Sequence, residues 1–255
     1  MQARIVAARQ GARWLADGWR LFAHAPLAWL SVVFAYGLIM MLMSAVPVIG
    51  TAAFLVLYPA FTVGLMATAR AAAHRAPFRV GILFDGFRHG VRPQIVLGAV
   101  YLVCSILVFA GTFLADDEQA LRTVLSGRRP EELEGGDLAV PLAVMAALYT
   151  PTLMMFWFAP PLAAWHPVGA MKALFFSFFA CLMNWRAFLA YGVATAIATL
   201  LVPFLALTLL TLASSGALRA PVATLVFPLL LVMLPTLFAS FYASYRDVFG
   251  YDAAP

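Results

Sequence analysis

Residues 21–69 read LFAHAPLAWLSVVFAYGLIMMLMSAVPVIGTAAFLVLYPAFTVGLMATA, 49 consecutive positions without Lys, Arg, Asp or Glu, in which His24 is the single side chain able to take up a positive charge. One helix of that length would extend about 74 Å at ~1.5 Å per residue, more than twice the ~30 Å hydrocarbon core of a bilayer. The run therefore has to fold back on itself. Val46-Pro47-Val48-Ile49-Gly50 marks the place, because a proline and a glycine close together with no charge between them read as a tight turn. Two bilayer-length helices follow from it, about Pro26 to Val46 and about Gly50 to Ala69.

The rest of the chain repeats this texture. Further spans are predicted at about Pro93 to Ala115, Val140 to Trp165, Ala187 to Ala213 and Pro221 to Tyr245, six in all. Over 255 residues, 64% are hydrophobic and 11% charged, against about 25% charge in a soluble domain. That balance excludes a soluble enzyme, a nucleic-acid-binding module and a disordered chain. The fold class expected is an all-α polytopic membrane protein, a single integral domain over residues 1–255. Cys104 and Cys181 are too few for a disulfide framework and read as small buried hydrophobes.

Basic residues set the orientation. Arg4, Arg9, Arg13, Arg20, Arg70, Arg75, Arg79, Arg88, Arg92, Lys172, Arg186 and Arg246 share a side with both termini, and Arg122, Arg128, Arg129 and Arg219 fall on the other. This split of 12 to 4 out of 16 puts both termini in the cytoplasm by the positive-inside rule. The first apolar run starts too late and is too long for a cleaved signal peptide and reads as a signal anchor; the acid-free, Arg-rich start equally fits a mitochondrial presequence. Most acidic residues collect between Asp116 and Asp137, making 116–139 a solvated external loop.

A threefold repeat is expected, with units 12–78, 79–167 and 168–250. Each unit opens on a short segment too brief to span: Trp14 to Phe22, Leu83-Phe84-Asp85-Gly86-Phe87-Arg88, and Leu174-Phe175-Phe176-Ser177-Phe178-Phe179. Each closes on a span with a matching proline, in Pro59-Ala60-Phe61, Pro151-Thr152-Leu153 and Pro235-Thr236-Leu237. Units that enter and leave on one side are related by a pseudo-threefold axis along the membrane normal. From Arg79 to Arg92, Val80, Leu83, Phe84, Phe87 and Val91 keep a three-and-four spacing opposite Asp85, Arg88 and His89, which predicts a helix in the headgroup plane. In the first segment Arg13, Asp17, Arg20 and His24 form a polar stripe facing away from Trp14, Leu15, Trp19 and Phe22. The third, bracketed by Lys172 and Arg186, reads as deeply interfacial or re-entrant.

No ionisable side chain falls within a span, where ion and proton paths usually place one. No nucleophile elbow or zinc-protease motif is present, and neither enzymatic activity nor a cofactor is expected. His166 with Lys172 and Ser177 comes nearest to a catalytic group, but no acid orients the histidine; capping or headgroup contact is the plainer role for it. Pro59, Pro151 and Pro235 are candidate helix kinks, which either enclose an apolar cavity or are packing features of the kind common in membrane helices. Arg70, Arg75, Arg79, Arg88 and Arg92, with His166, Lys172 and Arg186, are candidate contacts for anionic lipid headgroups, each basic residue near the surface contributing about 1 kcal/mol.

Phe156-Trp157-Phe158-Ala159-Pro160, Ala164-Trp165-His166, Lys172 to Ser177, and Asn184-Trp185-Arg186-Ala187-Phe188 resemble the signature of a family of β-proteobacterial inner-membrane proteins for which no active site is established. The stretches Gln10-Gly11 to Trp14-Leu15 and Leu83 to Arg88 resemble it too, so the likeness covers nearly the whole chain. It implies six helices in a Gram-negative inner membrane. More loosely, the architecture is similar to the membrane domain of glycerophosphodiester phosphodiesterases. The functional expectation is a structural or lipid-interacting accessory of that membrane; the alternative is an exporter or transporter of a small apolar or amphipathic compound through a cavity at the kinked helices.

Overall fold

The structure, a computed structural model of the chain, describes residues 3–115, 139–201, 204–205, 208 and 222–250, with side chains from 231 onward in the last helix. Among the described residues every regular element is helical. They are α1 (Ala8–His24), α2 (Pro26–Ser44), α3 (Ile49–Ala73), a 3-10 turn Val80–Phe84, α4 (Asp85–Arg88), α5 (Val91–Leu114), α6 (Ala139–Trp165), α7 (Ala170–Met183), α8 (Trp185–Ala196) with a π-turn at Ile197–Leu201, and α9 (Val222–Phe249). By length and composition α2, α3, α5 and α6 can each cross a bilayer; α7 and α8, bent by 79° at Asn184, make a fifth candidate if counted together. All but residue 139 of the expected external loop 116–139, and most of the second half of the span from Ala187, lie outside the described residues.

The expected break in residues 21–69 falls between Ser44 and Ile49. Its backbone is a γ-turn: Val48 takes φ 60° and ψ −60°, and the Ile49 N–H donates to the Pro47 carbonyl at 2.6 Å. A β-branched residue at positive φ is strained, so the turn relies on the two packed helices that flank it.

The first two short segments differ from their sequence patterns in one respect each. Over Arg79 to Arg92 a continuous helix is expected, but the chain makes the 3-10 turn, the single turn of α4, and a left-handed Gly90 (φ 73°) before α5 begins. The three-and-four spacing of apolar residues survives, since a 3-10 turn also brings residues three apart onto one side. In α1 the buried side is Gly11, Trp14, Gly18 and Phe22, while Trp19, expected on the apolar side, is 48% exposed.

Two of the short segments rest on the helical hairpin that precedes them. The Val80–Arg88 segment packs on α2 and α3, and α7 packs chiefly on α6 and touches α5; α1 packs on α8 and α9. The contacts are backbone-close. A Cβ at Gly86 would overlap the Ala60 carbonyl oxygen, and one at Gly18 the Thr236 carbonyl oxygen. Ser177 stands at the corresponding place in α7, and its hydroxyl enters the hydrogen-bond ladder of α6. The Phe158 N–H donates to Ser177 Oγ (2.9 Å) and Ser177 O–H donates to the Met154 carbonyl (2.7 Å), so a side chain bridges an i, i−4 pair that would otherwise bond directly.

α3 is the hub, with 44% of its most apolar stretch buried against 11% for α5. Apolar burial drives little association inside lipid, so packing and ring geometry carry the weight. Tyr58 stacks on Tyr101 (4.9 Å), Tyr101 meets Phe156 edge-on (4.9 Å), Trp157 meets Phe241 (4.6 Å) and Tyr36 meets Phe238 (5.8 Å). The outward faces stay apolar; on α5, Val103, Ile106, Leu107 and Phe109 are all more than half exposed.

Candidate functional site

The basic side chains predicted to meet headgroups divide into two kinds. Arg75, Arg79, Arg88, Arg92 and Lys172 are exposed and make no ion pair among the described residues. Val80, Phe84 and Val91 beside them are exposed as well, at 37%, 41% and 40%. Apolar side chains and unpaired guanidinium groups side by side suit an interface with hydrocarbon on one side and phosphate on the other. Arg70 and Arg186 are instead held over indole rings: Arg70 lies 5.4 Å from the Trp165 ring centre and Arg186 5.3 Å from that of Trp185.

Arg70 belongs to a junction at the ends of α3, α6 and α9. Trp165 at the end of α6 meets Tyr245 of α9 at 5.5 Å, and His166 Nε2 lies 2.7 Å from the Tyr245 hydroxyl. Burial lowers the His166 pKa below its ordinary value, so the ring is neutral near pH 7. The three residues nearest to a catalytic group in the sequence are not brought together. Ser177 is engaged with the α6 backbone, His166 with Tyr245, and Lys172 is exposed.

Of the prolines singled out as kinks, Pro59 and Pro235 are buried and Pro151 is exposed. A cavity lined by Tyr58, Tyr149 and Leu153, near Pro59 and Pro151 in sequence, together with Tyr101 and Phe241, is about 50 Å³, room for a water or two. A larger apolar cavity of about 630 Å³ lies between α6, α7 and α8, bordered by Thr150 and Leu153 on either side of Pro151 and by Trp157, Trp185, Phe188 and Gly192; Leu153 and Trp157 line both cavities. Pro160 and Pro161, both buried in α6, are helix-interior prolines that periodicity did not single out. The Pro160 carbonyl accepts from Gln94 Nε2 at 2.9 Å, which ties α5 to the proline-weakened turn.

The most elaborate polar assembly joins the two ends of the chain and was not visible in the sequence. Asn184, at the α7–α8 bend and 2% exposed, accepts from the Val6 N–H (2.8 Å) and donates to the carbonyls of Arg4 (3.0 Å) and Ala180 (2.9 Å). The Arg4 N–H donates to the Val248 carbonyl at 2.7 Å. Asp247 accepts from Gln10 Nε2 (2.7 Å) and Trp14 Nε1 (3.0 Å), and Arg246 lies 3.5 Å from Asp17. The extended residues before α1 are thereby fixed against α7 and α9.

No family model matches the chain and no solved structure does. A curated protein of Burkholderia thailandensis, described as "Probable inner membrane protein", is 39% identical over 258 residues, covering 98% of this chain and 94% of that one. Nothing in these comparisons links the chain to the membrane domain of glycerophosphodiester phosphodiesterases, and that looser resemblance stands without support. The resemblance to β-proteobacterial inner-membrane proteins, by contrast, agrees with the Burkholderia relative. With bilayer-length apolar helices and this relationship over nearly the whole of both chains, the protein is an integral inner-membrane protein and belongs to the family of the Burkholderia protein.

Proposed function

We propose that this protein is a six-span, lipid-interacting accessory of the inner membrane with no enzymatic centre, both termini in the cytoplasm and three repeat units at 12–78, 79–167 and 168–250. The observation that carries the lipid reading is the exposed rim in which Arg79, Arg88 and Arg92 alternate with exposed Val80, Phe84 and Val91. Anionic headgroups are the chemistry that satisfies both halves of that surface. In this reading α8 and α9 supply the fifth and sixth spans; α9, with 28 residues, is about 42 Å long at ~1.5 Å per residue, enough to cross.

Support for the repeat comes from contacts the sequence alignment did not use. Gly18 and Gly86 occupy the same place in their segments, and Thr236 and Ala60 each follow the repeated proline. The aligned glycines meet the aligned carbonyls, and Ser177, aligned with both, reaches the α6 backbone three residues past its own proline. Each segment lies on the preceding hairpin and α1 on the last, which closes the units into a ring.

An exporter would need a passage. The larger apolar cavity, bordered by Thr150 and Leu153 on either side of Pro151, is the space that reading would use; the one lined by Tyr58 and Tyr101 is too small for an organic compound. The test of the lipid reading is to replace Arg75, Arg79, Arg88 and Arg92 by Gln, leaving Arg70 in place over Trp165, and to weigh phosphatidylglycerol retained through gentle purification. Retention is expected to fall at least tenfold; unchanged retention overturns the reading.

A further inference from the structure

We propose that the cleft between the start of α1 and the end of α9 is a phosphate-binding site, distinct from the exposed rim. The cleft is about 440 Å³ and is lined by Arg4, Arg9, Arg13, Arg246, Gln10 and Asp247, with Val6, Ala7 and Gly250. Four arginines against one aspartate leave the lining at a formal charge of +3. Asp247, counted in that sum, faces Arg246 at 3.4 Å, and Arg246 also lies 3.5 Å from Asp17, so the unpaired charge of the cleft is that of Arg4, Arg9 and Arg13.

The arrangement is unfavourable without an anion. Arg9 lies in the first turn of α1, where the helix dipole opposes it, and it repels Arg13 at the i, i+4 position. The first turn of α1 holds no acidic residue, and Ala7 supplies no side chain to cap its free N–H groups. Arg4, Arg9 and Arg13 make no ion pair among the described residues. A phosphate in the cleft would accept from the guanidinium forks and the helix terminus together.

The cleft is also held in shape by the chain around it. Asn184 and Val248 fix the Arg4 backbone on both sides. The Arg4 guanidinium lies across Gly250, whose φ is 62° and where a Cβ would come within 2.6 Å of Arg4 Cζ. That backbone conformation is one glycine adopts freely, and the missing side chain leaves room for the guanidinium. A mobile basic tail would need none of this.

The ligand chemistry is a phosphate group, borne by a lipid headgroup or by a soluble phosphate ester; the lipid source rests on the membrane reading proposed above, and the site itself does not. The experiment compares the intact protein with Arg4→Gln/Arg9→Gln/Arg13→Gln in lipid nanodiscs, Arg246 being kept because it pairs with Asp17. Inorganic pyrophosphate is titrated into phosphatidylcholine discs, and phosphatidylglycerol is counted by native mass spectrometry after exchange into mixed discs. At about a factor of five per basic residue, the triple variant is expected to bind the preferred probe on the order of a hundredfold more weakly. If it fails to fold, Arg9→Gln/Arg13→Gln carries the same test with Arg4 still seated on Gly250.

Saturable binding of either probe, one per chain and lost in the variant, supports the site, and the probe that binds identifies the source. The proposal is overturned if neither probe saturates, or if the variant holds both as tightly as the parent. The rim variant separates the two claims. Loss of phosphatidylglycerol in the rim variant alone, without pyrophosphate binding, removes the cleft and leaves the lipid reading. Pyrophosphate binding lost in the cleft variant, with phosphatidylglycerol retained by both, removes the lipid reading and leaves the cleft.

Discussion

Replacing Gly18 by alanine tests the contact on which the arrangement of units depends. In an open helix interior the change stabilises, since alanine is the better helix former by about 0.5–1 kcal/mol. Gly37 in α2 provides that reference, because a Cβ there has nothing within 4 Å. At Gly18 the new methyl would overlap the Thr236 carbonyl oxygen and lie 2.9 Å from Ser240 Cβ, and a backbone obstacle cannot rotate aside. Forcing an extra carbon into a packed contact costs about 1–3 kcal/mol, which outweighs the propensity gain. Set against Gly37→Ala, where the propensity gain is the same, the difference is the packing cost itself, about 1–3 kcal/mol, or roughly 2–12 °C in melting temperature for a chain of this size. Thermal melting followed by tryptophan fluorescence in a neutral detergent measures it directly, since Trp14 is fully buried in α1. Gly86→Ala, against the Ala60 carbonyl, is expected to move in the same direction as Gly18→Ala. If all three variants melt within a degree or two of one another, the close approach of segment and span is not what holds them, and the reasoning fails.

Three further outcomes follow from individual contacts. Asn184→Leu keeps the volume but strands the Val6 N–H and the Arg4 carbonyl. It should cost about 2–4 kcal/mol and speed proteolysis before residue 8; an unchanged cleavage rate would refute the clamp. Ser177→Ala should cost less, about 1 kcal/mol, because the Phe158 N–H and Met154 carbonyl it bridges can bond each other as α6 straightens; a loss larger than that of Asn184→Leu would contradict the wedge. His166 has its pKa lowered by burial, so the folded state binds fewer protons than the unfolded one in the acid part of the histidine range. Its contribution is present above the unfolded pKa of about 6.5 and is lost as pH falls through the lowered folded value. Melting temperature should thus drop between pH 7.5 and 5 more in the parent than in His166→Gln, and equal slopes would argue against it.

Much of the architecture was legible because membranes punish charge: the boundaries at Pro26, Val91 and Trp165 sit where ionic residues resume or proline starts a helix. The turn at Val46 to Gly50 was legible from proline and glycine, but its γ geometry was not, since nothing in a valine announces a positive φ. Periodicity put Trp19 with Phe22, whose ring lies 5.6 Å away, but did not show that the buried stripe of α1 is built on Gly11 and Gly18, which carry no hydrophobic signal. It extended one helix over Arg79 to Arg92, where the left-handed Gly90 ends α4 before α5 begins. The cleft was invisible for a different reason: Arg13 and Arg246 are 233 positions apart, and only the closing of the last hairpin onto α1 brings them together.

The central claim is a chain that crosses the inner membrane six times with its basic ends inside, and reporter fusions test it most directly. Alkaline phosphatase joined after Gly127 should be active and after Phe249 inactive, while green fluorescent protein at the same two positions should give the opposite result. Fluorescence after Gly127, or phosphatase activity after Phe249, would contradict the topology and the assignment of both basic surfaces to the cytoplasmic leaflet.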